Sequence, residues 1–226
     1  MDTSAFPFLS DDSIAKLEAL PELYREWNAQ INVVSRKDLD NLWERHIAHS
    51  LVLGQVLPLK AGLRVADIGT GGGFPGIPLA IAFPEVEWVL VDSIAKKIKV
   101  VQAVADALGL TNVRPVWGRM ETVKGPFDLA VTRAVAPAAE LKQWMKGHWS
   151  SKPNTALYAL KGGDLSEELA GLRYPVKEFP IADFYTEEFF ETKKVVLGLR
   201  NMKNIKEMTE AMIKVNSIEN QADDVF

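Results

Sequence analysis

Val65-Ala66-Asp67-Ile68-Gly69-Thr70-Gly71-Gly72-Gly73-Phe74-Pro75-Gly76-Ile77-Pro78 runs from an apolar stretch through a carboxylate into four glycines in five residues, then resumes as an apolar helix. This order predicts a strand, a tight turn and a helix, with the turn stripped of side chains so that a ligand lies against backbone. Backbone N–H groups in such a turn, with the helix N-terminus behind them, favour an anion. Two cofactors compete for it. Gly71-x-Gly73-x-x-Gly76 satisfies the dinucleotide fingerprint of a nicotinamide enzyme literally, whereas Asp67 directly ahead of Gly69-x-Gly71 suits S-adenosylmethionine. A carboxylate there would repel a pyrophosphate but accept from the ammonium of the methionine moiety, directly or through water, so Asp67 tilts the choice towards S-adenosylmethionine.

Outward from this loop, strands and helices alternate. Leu63 to Asp67, Trp88 to Asp92, Phe127 to Thr132 and Thr155 to Leu160 read as strands, and Val113 to Val116 as a proline-broken one. Between them, helices are expected over Pro75–Phe83, Ser93–Leu108, Pro137–Met145 and Asp164–Gly171. In Ser93–Leu108, Lys96, Lys97 and Lys99 should face outward and Ile94, Ile98, Val101 and Val104 inward. Two late strands, near Val176–Phe184 and Lys194–Leu199, lie too close for a crossover helix and suggest an antiparallel pair. The pattern predicts an α/β fold with a doubly wound, mostly parallel sheet over residues 61–200. Residues 1–60 read as a helical extension: a helix capped by Ser10, a polar loop over Asn32–Asp40, and a helix over Leu42–Leu57 stopped by Pro58. Residues 201–226 form a polar tail.

The 226 residues are 47% hydrophobic and 25% charged, an ordinary globular balance, and the formal charge of −4 argues against general adhesion to polyanions without excluding a local basic face. Zero cysteines removes disulfides and thiolate–metal sites and suits a reducing compartment. No basic leader opens the chain and no apolar run approaches the roughly 20 residues that span a membrane, so a cytoplasmic monomer is the expectation. His46 and His49, three apart, lack the acids that would complete a metal site.

In a doubly wound sheet, ligands bind beyond the carboxyl ends of the strands. Asp92, 23 residues after Gly69 and at the end of the next strand, fits an acid that bonds both ribose hydroxyls; capping the following helix is its structural alternative. Met120 and Glu121 follow the third strand, where they can meet an adenine. Arg133 ends the fourth strand among apolar neighbours and needs an anionic or carbonyl partner, the structural alternative being an ion pair with Asp92 or Glu121.

These residues, taken with several others, resemble one family. Trp27-Asn28 with Asn32, Arg45-His46-Ile47 with Ser50, Asp67 to Pro78, Asp92-Ser93 with Lys96-Lys97, Arg119, Thr132-Arg133-Ala134 and Tyr158-Ala159-Leu160-Lys161-Gly162 are similar to the RsmG family, also called glucose-inhibited division protein B. The resemblance runs from about Trp27 to Leu199. It implies a class I, Rossmann-like methyltransferase with a seven-stranded sheet, which uses S-adenosyl-L-methionine to methylate guanine N7 in small-subunit (16S) ribosomal RNA. Carried over by motif, Gly69 and Phe74 would contact the cofactor, Met120 and Glu121 its adenosine end, and Arg133 the cofactor or acceptor side, with Gly71 and Asp92 completing the cofactor set on the reading of the loop and strand end above. Arg36, Lys37, Arg45, His46, Lys96, Lys97 and Lys161 would face the RNA or the small ribosomal subunit. His49 stands where the family more often has Asp, Thr132 where it has Ser, and lysines near Thr192-Lys193-Lys194 where many members carry Arg or His. All three departures touch the RNA side.

Guanine N7 has a lone pair and no proton to lose, so attack on a sulfonium methyl needs no general base, and no residue is expected in that role. N7 is inaccessible in A-form RNA, so the guanine must be unpaired or splayed out. Two alternatives remain at this level: a cofactor-binding ribosome-assembly factor without catalysis, and a nicotinamide-dependent oxidoreductase, for which no proton donor is evident.

Overall fold

The computed structural model describes residues 3–170, 172, 176–183, 185 and 187–199, so the expected tail over residues 201–226 lies outside the described residues. Seven strands form one sheet in the order β3-β2-β1-β4-β5-β7-β6. They are β1 (Arg64–Ile68), β2 (Glu87–Asp92), β3 (Val113–Trp117), β4 (Leu129–Arg133), β5 (Ala156–Gly162), β6 (Val176–Pro180) and β7 (Lys193–Leu199). β1 to β5 run parallel, while β7 is antiparallel to both β5 and β6. The expected antiparallel end of the sheet is therefore present, though β6 stops at Pro180 and passes into a short 3₁₀ turn, Ile181–Asp183.

The chain leaves β1 for one side of the sheet and reaches β4 on the other, so the order reverses between β1 and β4. That is the switch point at which doubly wound sheets open a crevice. β3 is the outer strand on its side. Pro115 is tolerated there because an edge strand can lack one ladder donor.

Helices α1 (Asp11–Asn28), α2 (Arg36–Leu39), α3 (His49–Val56), α4 (Gly76–Ala82), α5 (Ala95–Ala107), α6 (Ala138–Trp144) and α7 (Ser166–Ala170) cover the sheet. α1 begins as its sequence suggests, with Ser10 Oγ accepting from Ser13 N and two acids in its first turn. Its buried stripe of Leu17, Leu20 and Tyr24 joins the same apolar cluster as Val65, Trp88, Leu90 and Val131 of the sheet. The helical extension thus shares the core of the sheet.

Three expectations are corrected. The polar stretch Asn32–Asp40 contains the helical turn α2. Ile94 does not face inward but is 47% exposed, because α5 starts only at Ala95 and leaves it on the loop. The single helix expected over Leu42–Leu57 is two segments: a π-helical turn, Trp43–Ala48, precedes α3. In that turn the His49 N–H reaches the Glu44 carbonyl, one residue further than an α-helix requires, and the turn places the Arg45 carbonyl at the active-site side. π-turns of this kind concentrate at functional sites.

Candidate active site

A cleft of about 670 Å³ opens at the carboxyl ends of β1, β2, β3 and β4. The glycine loop forms its floor. Gly69, Gly71 and Gly73 have φ of +66°, +61° and +107°, values that L side chains rarely adopt. A Cβ on Gly69 would lie 2.6 Å from the Val135 side chain, and one on Gly76 only 2.7 Å from both Asp67 Oδ2 and Leu90 Cγ. Around Gly71, by contrast, the space a Cβ would take is open, and that space lies in the cleft. The loop therefore needs glycine for three separate reasons: conformation, packing from behind and room in front.

Asp67 lies wholly buried behind the loop. Its Oδ2 accepts from Thr70 Oγ1 at 2.6 Å and from Gly76 N at 2.8 Å, which ties β1 to the start of α4. Burial pushes its carboxyl up to about 7, against the pull of those two bonds and of Arg133. Oδ1 has no partner. Asp67 is not among the residues lining the cleft, so in this structure its first duty is to shape the loop.

Asp92 anchors two segments: the helix-capping alternative is met only at the entry to α5, whose N-cap is Ile94, and the bond to the glycine loop is additional. Oδ2 accepts from Gly71 N at 3.0 Å and Oδ1 from Ile94 N at 2.8 Å, fixing the glycine loop and the entry to α5. A carboxylate offers about four acceptor positions, so two remain for a ligand diol at the cleft wall. Lys97 Nζ lies 3.8 Å from Oδ2 and, like Arg119, lines the cleft. Met120 and Glu121 line the same cleft: Met120 is buried beneath it and Glu121 exposed at its edge.

A second cavity of about 450 Å³ is lined by Asp38, Arg45, His46, His49, Arg133 and Phe189, together with Lys161 and Lys193. It shares Arg133 and Ala134 with the cleft, and Ala134 holds a positive φ of 51° at the tip of β4. Arg133 finds its partner here and not in Asp92 or Glu121, which corrects the ion pair considered from sequence. Its Nη1 donates to the Arg45 carbonyl at 3.2 Å and its Nη2 to His46 Nδ1 at 2.8 Å. The guanidinium also lies 5.3 Å from the centre of the Phe74 ring. Burial lowers Arg133 to about 10, so it stays charged at neutral pH.

Because His46 Nδ1 accepts from Arg133, its proton sits on Nε2, which faces Asp38 Oδ2 at 3.6 Å. Burial, then Arg133, lowers His46 to about 4, so it is neutral at physiological pH and supplies no positive charge to a phosphate. Arg45 Nη1 pairs with Asp38 Oδ1 at 2.6 Å, and that bond holds Asp38 below the usual carboxylate range. Lys161 donates to the Ala136 carbonyl at 2.7 Å and pairs with Glu168 at 3.0 Å. Of the residues expected to face RNA, Arg45, His46 and Lys161 line this cavity with their groups already engaged, and Arg36, Lys37 and Lys96 are exposed on the surface.

Tyr24, which the sequence does not single out, belongs to the site, and the contacts of Asn28 and His49, both noted from sequence, become visible here. Tyr24 Oη donates to the Gly72 carbonyl at 2.5 Å, and its ring centre lies 4.8 Å from that of Phe74. Asn28 Oδ1 accepts from Val33 N and Val34 N while its Nδ2 donates to the Val34 carbonyl, folding the segment that carries Val33 into the cleft wall. His49 is buried with Nε2 unpartnered and is lowered by burial to about 3; Lys193 faces it across the second cavity. No group of three metal-ligating side chains occurs among the described residues.

The sheet order, the glycine loop at its switch point and the acid at the end of β2 define a nucleoside-cofactor methyltransferase of the doubly wound class. Solved structures share this fold: a SAM dependent methyltransferase from Aquifex aeolicus (TM-score 0.54, 15% identity, covering 79% of this chain and 97% of that one) and a methyltransferase from Geobacter sulfurreducens (TM-score 0.52, 18% identity, 85% and 89%). The family model for rRNA small subunit methyltransferase G (GidB) matches residues 13–178. The proteins named ribosomal RNA small subunit methyltransferase G from Christiangramia forsetii and Flavobacterium psychrophilum are 52% and 51% identical, over 84% of this chain and 92% and 93% of theirs. The chain belongs to the rRNA small subunit methyltransferase G family.

Proposed function

We propose that this protein transfers the methyl group of S-adenosylmethionine to N7 of a guanine in small-subunit (16S) ribosomal RNA, with the cofactor in the cleft and the acceptor base in the second cavity. The observation that carries the reading is the meeting of the two cavities at Arg133 and Ala134. A cofactor and a flipped base must approach within bonding distance, and one shared wall is where they can.

When bound, S-adenosylmethionine supplies an electrophilic methyl on a sulfonium sulfur. This chain's residues supply placement. Gly69 and Gly71 present backbone to the amino-acid end, the free lone pairs of Asp92 take the ribose hydroxyls, and Met120 and Glu121 bound the adenine. The open Cβ space at Gly71 is a feature that such a ligand fits. Arg133, locked by Arg45 and His46, keeps the shared wall rigid while the base enters. No side chain has to take a proton from N7, so positioning is the main source of rate. The product guanine is cationic, and Asp38 is the one carboxylate lining the second cavity, kept ionised by Arg45. Its charge favours the product ring. The cysteine-free composition suits the cytoplasm, where the RNA is found.

The test is to incubate the protein with labelled S-adenosylmethionine and undermethylated small subunits, then map label by N7-specific strand cleavage. One labelled guanine is expected. Absence of label in intact subunits, naked RNA and partly assembled particles, with cofactor binding intact, overturns the enzyme reading in favour of a non-catalytic assembly factor.

A further inference from the structure

Three large apolar side chains are exposed among the described residues: Ile94 at 47%, Trp117 at 69% and Val135 at 38%. Ile94 and Val135 line the mouth of the cofactor cleft. Trp117 does not. It stands just outside, at the carboxyl end of the edge strand β3, paired in register with Asp92 and next to Gly118 of the cleft wall. Its indole Nε1 donates to the Ser93 carbonyl at 3.1 Å, so the ring is held in place while most of it faces water. A single exposed apolar side chain is ordinary on a protein surface, so the ring gains meaning from being held in place and from the charges beside it.

The segment that holds the ring is basic. Residues 93–99, from the Ser93 that accepts from the indole into the start of α5, contain Lys96, Lys97 and Lys99 and no acid, in a protein of formal charge −4. Lys97 is occupied beside Asp92, but Lys96 and Lys99 are exposed and make no ion pair among the described residues. A fixed aromatic face set among unpaired cations is the combination by which proteins hold single-stranded nucleic acid: the cations track the phosphates and the ring stacks a base of any kind.

We propose that Trp117 is a stacking platform for an unpaired base of the RNA strand that neighbours the target nucleotide, with Lys96 and Lys99 along the backbone. This rests on the reading of RNA as the substrate. The strand leaves the second cavity, crosses the mouth of the cleft and meets the ring at its far rim. Trp117 supplies affinity without sequence choice; identity of the target is left to the cavity.

The experiment measures binding directly and needs no methyl transfer. An unstructured, fluorescently labelled RNA oligonucleotide is titrated with wild-type protein and with Trp117→Ala, Trp117→Phe and Lys96→Ala, and S-adenosylmethionine affinity is measured in parallel. Trp117→Ala should weaken RNA binding by roughly 5- to 100-fold, the range that loss of one stacked base produces. Its dependence on salt should be unchanged, and Trp117→Phe should restore most of the affinity. Lys96→Ala should reduce the slope of log affinity against log salt by about 0.7, the value for one phosphate contact on a single strand. Cofactor affinity should match wild type in all of them. The proposal is overturned if Trp117→Ala binds the oligonucleotide like wild type, if it loses cofactor affinity as well, or if it fails only on intact subunits. Because binding is read alone, an inactive but RNA-binding wild type would count against the enzyme reading and leave the platform standing.

Discussion

The two cavities that meet at Arg133 are built by opposite means. The cofactor cleft is made of backbone: left-handed glycines, N–H groups held by Asp92, and a floor shaped from behind by Asp67. The second cavity is made of long side chains that hold one another, with Arg45 on Asp38, Arg133 on His46 and Lys161 on Glu168. A site made of backbone is rigid and suits a cofactor that is the same in every turnover. A site made of paired side chains can exchange its internal partners for a ligand's, which suits an RNA base presented in a particle.

The largest effect that would break this contrast lies on the cleft side. Asp92→Ala removes the acceptor of Gly71 N and Ile94 N together with the lone pairs assigned to the ribose. S-adenosylmethionine affinity should fall roughly 10- to 100-fold, as loss of charged hydrogen bonds does, while oligonucleotide affinity is retained. Equal loss of both would show that the cavities are not separate. Arg133→Lys sharpens the contrast at its seam. A lysine cannot donate in two directions to the Arg45 carbonyl and His46 Nδ1, so kcat should fall more than tenfold, with cofactor affinity changed only a few-fold; an unaltered kcat would remove Arg133 from the shared wall.

The histidines of the second cavity give a pH signature that the cleft lacks. His46 and His49 are lowered to about 4 and 3, mainly by burial, against an ordinary value near 6.5. Groups depressed in this way bind more protons when unfolded between pH 6.5 and those values, so the stability they allow is complete above pH 6.5 and falls as the solution is acidified. Asp67, raised to about 7, works in the other direction over that range. Urea unfolding at pH 7 and pH 5 should show a net loss of about 1 kcal/mol, the two histidine shifts outweighing the opposing Asp67 shift, and His46→Gln with His49→Gln should reverse the sign, leaving a protein that gains stability on acidification through Asp67. The smallest effect is expected from Tyr24→Phe, which removes one hydrogen bond to the Gly72 carbonyl: about 1 kcal/mol of stability and a severalfold weaker cofactor affinity, read by thermal melting and titration.

The same contrast explains what could be read from the chain. The cleft is legible because β1, the glycine loop and α4 are consecutive, so one stretch from Val65 to Pro78 contains its floor. Asp92 follows one strand later. The second cavity draws Asp38, Arg45, His49, Arg133, Lys161, Phe189 and Lys193 from segments up to 155 residues apart, and no local spacing announces that. Arg45-His46-Ile47 with Ser50 is visible as a motif, but its reason is the π-turn, which carries no hydropathy signature distinct from an α-helix. His46, Lys97 and Lys161, expected on an RNA face, prove to be neutral or engaged because burial and pairing, not residue type, decide their state, whereas Lys37 and Lys96 are exposed. Trp117 follows the proline-broken run Val113–Val116 in the chain, and only the position of β3 at the sheet edge, which spacing does not announce, exposes its ring.

The most direct test of the two-cavity account is a crystal structure of the protein with sinefungin, a stable analogue of the cofactor. The account predicts the adenine against Met120, the ribose on Asp92, and the group that replaces the methyl at Ala134, open to the second cavity. An analogue bound in the second cavity itself, or one whose transferable position is walled off from it by Arg133, would contradict the account.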